Sequence, residues 1–336
     1  MALESPSPHP HDHDGFSSCG VCDGEAVVVI GEHMKRIMQN KAAIAIFVLP
    51  ALILFITIVI VPIFMSLYYS LNDWDGTGGM VYVGFKNYAS LFSSAPFLKS
   101  MLNSIRFAFA SVFIQLPISM LLALVLAYRV KGERFFITVY FIPVILASVV
   151  IGQLWMRIYN QDYGVLNLFL KALNPRANPP AWLGDMKTAL VAVIAPVLWQ
   201  YVGYHMLLFY SGIKSISPDI FEAAKIDGAS FRRTSLSITL PMLRPVIMVS
   251  VTFAVVGSMK VYDLVKVLTN GGPAGSSDVI TTLLVRTMIY PGNNYGYGSS
   301  MAVVLIIECF AFYMLIGRLF REKEDAPAKT IRKSAA

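Results

Sequence analysis

Six long apolar stretches, each about 20 residues or more and nearly free of charge, constrain this chain more than anything else in it. They run over residues 42–69, 107–128, 135–156, 188–213, 245–267 and 298–319. Such stretches are too long for ordinary core strands, and the ~10-residue alternation of a membrane barrel does not recur. Helices are expected, because in lipid a helix satisfies its own backbone hydrogen bonds. Pro50, Pro62, Pro117, Pro143 and Pro196 lie within or beside the stretches. They would break a soluble helix, but a packed membrane bundle tolerates them as kinks.

Composition excludes the soluble alternatives. Hydrophobic residues are 56% of the 336 and charged residues only 14%, where a soluble domain carries about 25% charged. A chain this apolar cannot cover a water-facing surface, so a soluble enzyme and a disordered regulator both drop out. The formal net charge is +7. Nucleic-acid binding would gather that charge on a soluble domain. Here it gathers in short segments beside the stretches: Lys35, Arg36 and Lys41; Arg129, Lys131 and Arg134; Lys214, Lys225, Arg232, Arg233 and Arg244; and Arg318 through Lys333. Basic residues stay on the cytoplasmic side, which places both termini inside. The outside loops, residues 70–106, 157–187 and 268–297, are too short for a large independent domain. The first stretch exceeds a signal-peptide core and no A-x-A site closes it, so it is expected to be a retained span.

Three parts follow: a polar tail over 1–33, a six-helix membrane domain over 34–322 and a basic cytoplasmic tail over 323–336. The first tail carries His9, His11, His13, Cys19 and Cys22. It reads as a disordered tail, as a metal-binding segment, or as sequence upstream of a start at Met34. Cys309, inside an apolar stretch, reads as a small core residue. No disulfide framework is expected.

The segment between the fourth and fifth stretches is the most informative. It runs from Ser217-Pro218-Asp219 through Glu222-Ala223-Ala224 and Asp227-Gly228-Ala229 to Ile238-Thr239-Leu240-Pro241. The pattern predicts two short helices. Ser217 caps the first, Pro218 suits its first turn, and Asp219 favours the positive end of its dipole. Ile220, Phe221 and Ala224 form an apolar stripe. Gly228 ends the helix in the left-handed conformation, Ser230 caps the next, and Pro241 stops it. Physical reasoning leaves two roles open: docking into a groove on a soluble partner, or lying on the bilayer surface.

The spacing Glu222-Ala223-Ala224, Gly228, Ile238, Leu240-Pro241 resembles the EAA loop of bacterial binding-protein-dependent ABC importers. Leu268-Thr269-Asn270-Gly271-Gly272-Pro273 is similar to the LT-x-GGP stretch of maltose- and glycerol-phosphate-type sugar permeases. Gly84-Phe85-Lys86-Asn87-Tyr88 with Leu91-Phe92 resembles their first outside loop. The resemblance covers residues 34–322, and the large outside insertion of some maltose permeases is absent. It implies a permease subunit in the bacterial cytoplasmic membrane that carries a mono- or oligosaccharide, or a related polyol or sugar phosphate. The implied partners are an ATP-binding subunit, a second and related permease, an extracytoplasmic sugar-binding protein and the lipid bilayer. The loop residues Glu222, Ala223, Ala224, Asp227, Gly228, Ala229, Ile238, Leu240 and Pro241 would dock into the ATPase. ATP and Mg would sit on that subunit and no cofactor on this chain, which has no G-x-x-x-x-G-K-[ST] and is not expected to be an enzyme.

Ionisable groups within spans are costly and usually face a cavity or a partner. Lys260 and Asp263, three residues apart, are placed to pair locally, and Glu308 is the deepest. Aromatic faces stack on sugar rings. Trp199, Tyr204, Lys260, Tyr262, Asp263 and Glu308 are therefore the pathway candidates, against structural pairing, snorkelling and bilayer-boundary roles. His205 reads as a hydrogen-bonded packing residue. An ion-coupled secondary transporter would show an internal repeat, and none is visible. A membrane enzyme would show HExxH, GxSxG or clustered His and Asp, and none appears within the spans.

Overall fold

The computed structural model describes residues 41–321 other than 129, 177 and 290–293. The tail with its His and Cys residues, the start at Met34 and the basic tail from 323 lie outside the described residues. Five helices are long and apolar enough to cross a membrane: Ile44–Ser70, Ala95–Ala127, Ala189–Lys214, Arg244–Leu268 and Tyr295–Phe320. Glu133–Ile145 and Ser148–Ile158, bent by 98° at the break between them, make a sixth when taken as one span. The protein is an all-α membrane protein.

Two compact units divide at Ile63. The described part of the first is one helix, α1 (Lys41–Phe55), followed by a π turn (Ile56–Ile60) and the start of α2 (Val61–Ser70). Its apolar side chains, such as Phe47 and Leu54, are exposed. In water that would be a defect; in a bilayer the surrounding solvent is equally apolar.

The second unit begins with a two-residue ribbon, β1 (Asn72–Asp73) against β2 (Val81–Tyr82), antiparallel with Asn72 opposite Tyr82. Then come α3 (Lys86–Phe92), α4 (Ala95–Ala110), α5 (Leu116–Ala127), α6 (Glu133–Ile145), α7 (Ser148–Ile158) and α8 (Val165–Leu173). The central helix is α9 (Ala189–Lys214). After it run α10 (Pro218–Ile226), α11 (Phe231–Thr234), α12 (Leu240–Met242), α13 (Arg244–Met259), α14 (Asp263–Leu268), α15 (Ile280–Ile289) and α16 (Tyr295–Arg321).

Helix α9 packs chiefly on α5 and α6. It buries Val193 and Val197 in one core with Phe107, Ile151 and Val265, and Met206, Phe209 and Ile213 in another with Leu124 and Leu243. Gly203 sets the approach to α6, since a Cβ there would fall on the Tyr140 carbonyl. Cys309 packs beside a core of Ala108, Val255, Met259 and Ile316, as its position predicts.

Proline spacing explains three local departures from α-helix. π turns occupy Ile56–Ile60, Ser111–Gln115 and Ser235–Thr239. Each ends two residues before a proline: Pro62, Pro117 and Pro241. A proline ring collides with the carbonyl four residues back. That residue is Ile58, Phe113 or Ser237, the middle of each turn, and widening the helix moves the carbonyl away. Pro241 therefore does not stop its helix, as expected from sequence, but sits in the first turn of α12. Pro50, Pro143 and Pro196 lie inside α-helices.

Three spans differ from their sequence outlines. The second starts at Ala95, because Ser100, Asn103 and Ser104 are buried rather than looped out. The Asn103 amide donates to the carbonyls of Ser276 (3.0 Å) and Asp278 (2.8 Å). The third is broken at Leu146–Ala147, both in extended conformation, with no polar residue to announce it. There α7 turns to lie against α14, with Gly152 facing Val267. The fifth opens at Lys260–Tyr262, between α13 and α14.

Candidate coupling loop and transmembrane cleft

The loop between α9 and α13 is a helix–turn–helix, as its pattern predicts. In α10, Ala224 is buried and Ile220 and Phe221 are half-buried, while Glu222, Ala223, Lys225, Ile226 and Asp227 are exposed. Ser217 stands at the N-cap position, but its hydroxyl donates to the Asp219 carboxylate at 3.2 Å rather than accepting from the helix. With Pro218 filling the first turn, one backbone donor is already missing there, and the Asp219 carboxylate competes for the hydroxyl.

The helix ends in a Schellman motif. Gly228 has φ +71°, its N–H donates to the Lys225 carbonyl at 3.1 Å, and the Ala229 N–H reaches back to Ala224 at 2.9 Å. Ser230 caps α11, accepting from the Arg233 N–H at 3.4 Å. Ile238 and Leu240 are half-buried and Pro241 is exposed. Among the described residues nothing lies within 4 Å of a Cβ built on Gly228, so they leave room there.

Tyr128, just past α5, holds this element. Its ring meets Phe231 edge-on at 4.7 Å and Phe221 at 5.9 Å, and its hydroxyl lies 3.3 Å from that of Thr239. Close by, Lys214 pairs with Glu133 at 3.3 Å. Sequence reasoning missed Tyr128, and it missed Ile226, which is 86% exposed one turn beyond Glu222. The signal for Ile226 was an apolar residue in register with the charged face of its helix.

A cleft of about 660 Å³ opens among α6, α9, α13, α14 and the π turn before α5. Tyr204, Lys260, Tyr262 and Asp263 line it. Trp199 and Glu308 do not; the Trp199 ring lies edge-on to Trp155 at 5.9 Å. Among the described residues no ion pair joins Lys260 to Asp263. The helix opens between them, which removes the i, i+3 geometry that local pairing needs.

The cleft also holds Gln115, Gln200 and His205, none of them pathway candidates from sequence. They are 2–3% exposed. Among the described residues Gln115 Nε2, Gln200 Oε1 and His205 Nδ1 have no hydrogen-bond partner, so the hydrogen bond expected of His205 is not made at Nδ1. The Ser111 and Ser258 hydroxyls, 2.8 Å apart, tie the π turn to α13 at the same cleft.

The Leu268–Pro273 segment folds as a polar knot. The Thr269 hydroxyl lies 2.7 Å from that of Ser277, which donates to the Gly272 carbonyl at 2.7 Å. Gly271, at φ +83°, leaves space for Asp278, which is ion-paired to Arg286 and accepts from the Thr282 hydroxyl at 3.0 Å.

Residues 42–323 match the family described as "Binding-protein-dependent transport system inner membrane component". The "Probable ABC transporter permease protein YurN" of Bacillus subtilis is 33% identical over 85% of this chain and 99% of its own length. The trehalose/maltose transport system permease protein MalF of Thermococcus litoralis is 31% identical over 82% and 93%. A crystal structure of a bacterial ABC transporter involved in import of the acidic polysaccharide alginate shares the fold. Its TM-score is 0.74 and its identity 20%, with 87% of this chain and 99% of that one covered. The chain thus belongs to the inner-membrane components of binding-protein-dependent transport systems, multi-pass proteins of the cell membrane.

Proposed function

We propose that this chain is the permease subunit of an ATP-driven sugar importer, and that residues 217–241 couple it to a separate ATPase. One observation carries the coupling role. Helix α10 is clamped on its inner side by Tyr128, while Glu222, Ala223, Ile226, Asp227 and Gly228 are exposed. A rigidly held face of small residues, one apolar knob and two carboxylates suits a groove with basic walls. ATP and Mg belong to the partner ATPase, and this chain binds no cofactor.

The cleft is the proposed sugar path, with Tyr204 and Tyr262 as stacking faces and Lys260 and Asp263 as hydroxyl partners. Relatives named for trehalose/maltose and diacetylchitobiose support a sugar as the cargo. A second, related permease would complete the path. An extracytoplasmic binding protein would deliver the sugar, as in the alginate transporter solved with its pentasaccharide-bound periplasmic protein. Closure of the ATPases would move α10, and Tyr128 would pass that motion to α5 and the π turn at the cleft.

Mild-detergent recovery of the tagged chain from its own membrane, followed by mass spectrometry, tests this. A P-loop ATPase and a second EAA-containing permease are expected. A stable chain recovered alone, whose behaviour Gly228→Asp does not change, would remove the coupling role.

A further inference from the structure

We infer that α8 lies in the boundary layer of the bilayer leaflet opposite the coupling loop, and that the apolar groove between α7, α8 and the first turns of α9 holds an acyl chain of a lipid from that leaflet; this stands on the membrane fold and not on the cargo. Helix α8 is amphipathic the wrong way round for water. Val165, Leu168, Phe169 and Leu173 make one stripe along it, and all four are 52–70% exposed. Asn167, on the opposite side, is 1% exposed. Its Oδ1 accepts from Nε1 of Trp182 at 2.6 Å, and its amide donates to the carbonyls of Gln161 (3.2 Å) and Asn160 (3.4 Å). The polar side is thus turned inward and satisfied, and the apolar side faces out. Water disfavours that arrangement and hydrocarbon does not.

The stripe runs into a groove of about 520 Å³, and Val165 and Phe169 belong to both. Every residue lining the groove is apolar or aromatic. Trp155, Tyr159 and Trp182 line it as a run of rings, with successive centroids 5.2 and 6.1 Å apart. Trp and Tyr gather where one end of the side chain is in hydrocarbon and the other is wet. Trp182 does this here, with its ring in the groove and its N–H on Asn167.

Helix length fixes the depth. Helix α9 has 26 residues, about 39 Å at 1.5 Å per residue. The hydrocarbon layer is about 30 Å thick, so about 4–5 Å of α9 stands in the headgroup layer at each end. Val191 and Ala195 of the groove lie about 3 and 9 Å from the first residue, Ala189, one on either side of that boundary. An interfacial helix sinks its apolar face about 5–10 Å into the same layer. Val191 is 63% exposed, so the surface that α9 offers to lipid continues into the groove, and the solvent of the span is the solvent of the groove. Lys171 and Lys187 are exposed beside it, on stems that carry their charges up to the headgroup phosphates.

The test uses the importer purified from its host and reconstituted in phosphatidylcholine–phosphatidylglycerol vesicles. Nitroxide labels are placed at Leu168→Cys and Leu173→Cys, with Cys19, Cys22 and Cys309 replaced by alanine. Collision with oxygen, which concentrates in hydrocarbon, is expected to exceed collision with a water-soluble nickel chelate about threefold or more. The order should reverse at Asn178→Cys, which is exposed beyond α8. Nickel collision in excess at both stripe positions puts the stripe in water, and low collision with both reagents puts it under a protein; either result overturns the assignment. For the groove, Phe169 is replaced by p-benzoylphenylalanine, which on irradiation inserts into a neighbouring C–H bond. Mass spectrometry of the α8 peptide is expected to find a lipid adduct, and Ala195→Phe, which fills the groove, to lower its yield about threefold or more. A cross-link to a peptide of another subunit in place of lipid, or an adduct yield unchanged by Ala195→Phe, overturns the acyl-chain site.

Discussion

Replacing Tyr128 by leucine isolates the joint between the membrane helices and the coupling loop. The ring makes two edge-on aromatic contacts, with Phe231 at 4.7 Å and Phe221 at 5.9 Å. Each is worth about 0.5–1.5 kcal/mol beyond area burial. The 3.3 Å hydroxyl contact to Thr239 is long and adds about 0.5 kcal/mol. Leucine returns part of the apolar contact, so the net loss to the loop's local stability is about 2 kcal/mol. That is about a 30-fold rise in the population of opened loop. Amide hydrogen exchange over residues 218–234, in the assembled importer under conditions where exchange reports the opening equilibrium, reads this directly. Tyr128→Phe keeps both ring contacts and should accelerate exchange only about twofold. Exchange in Tyr128→Leu within threefold of wild type would refute the clamp, and the path from α10 to the cleft would need another joint.

Gly228→Asn and Gly228→Asp both place a side chain at φ +71° where the described residues leave open space, so weaker co-purification of the ATPase would report the partner's surface. Recovery should fall with Asn and further with Asp, and normal recovery with Asp would count against docking. Gly203→Ala puts a methyl on the Tyr140 carbonyl and forces α9 and α6 apart, at a cost of about 1–3 kcal/mol seen as a lowered melting temperature. Asp278→Ala leaves Arg286 without its carboxylate and frees Thr282. Breaking a buried pair costs about 3–5 kcal/mol, reduced to about 2–3 because the Arg286 side chain is 38% exposed. Thermal unfolding of the purified importer checks it, and Asp278→Leu combined with Arg286→Leu should recover part of the loss.

Features written in local chemistry were legible before any coordinates. Gly228 as a left-handed cap, Ser230 as an N-cap, the stripe Ile220–Phe221–Ala224 and two short helices between the fourth and fifth spans all appear in the structure. Features that depend on a distant partner were not. Asn103 and Ser104 look like loop residues until the 276–280 segment supplies their hydrogen bonds across more than 170 residues. Lys260 and Asp263 look like a helical pair until the helix opens between them. Pro62 and Pro117 mark a departure from α-helix in either view. That they follow π turns, while Pro143 stays within regular α-helix, is a difference the sequence does not mark.

The sequence by itself determined the solvent, the helical class and the family, because apolar length and motif spacing are local quantities. Which face of each helix looks inward was decided only by packing. In lipid the apolar residues run all round a helix, so the amphipathic contrast that marks the inner face of a soluble helix is missing. Gln115, Gln200 and His205 are therefore three scattered polar residues in the sequence, and one wall of one cleft only once α9 has packed on the turn before α5.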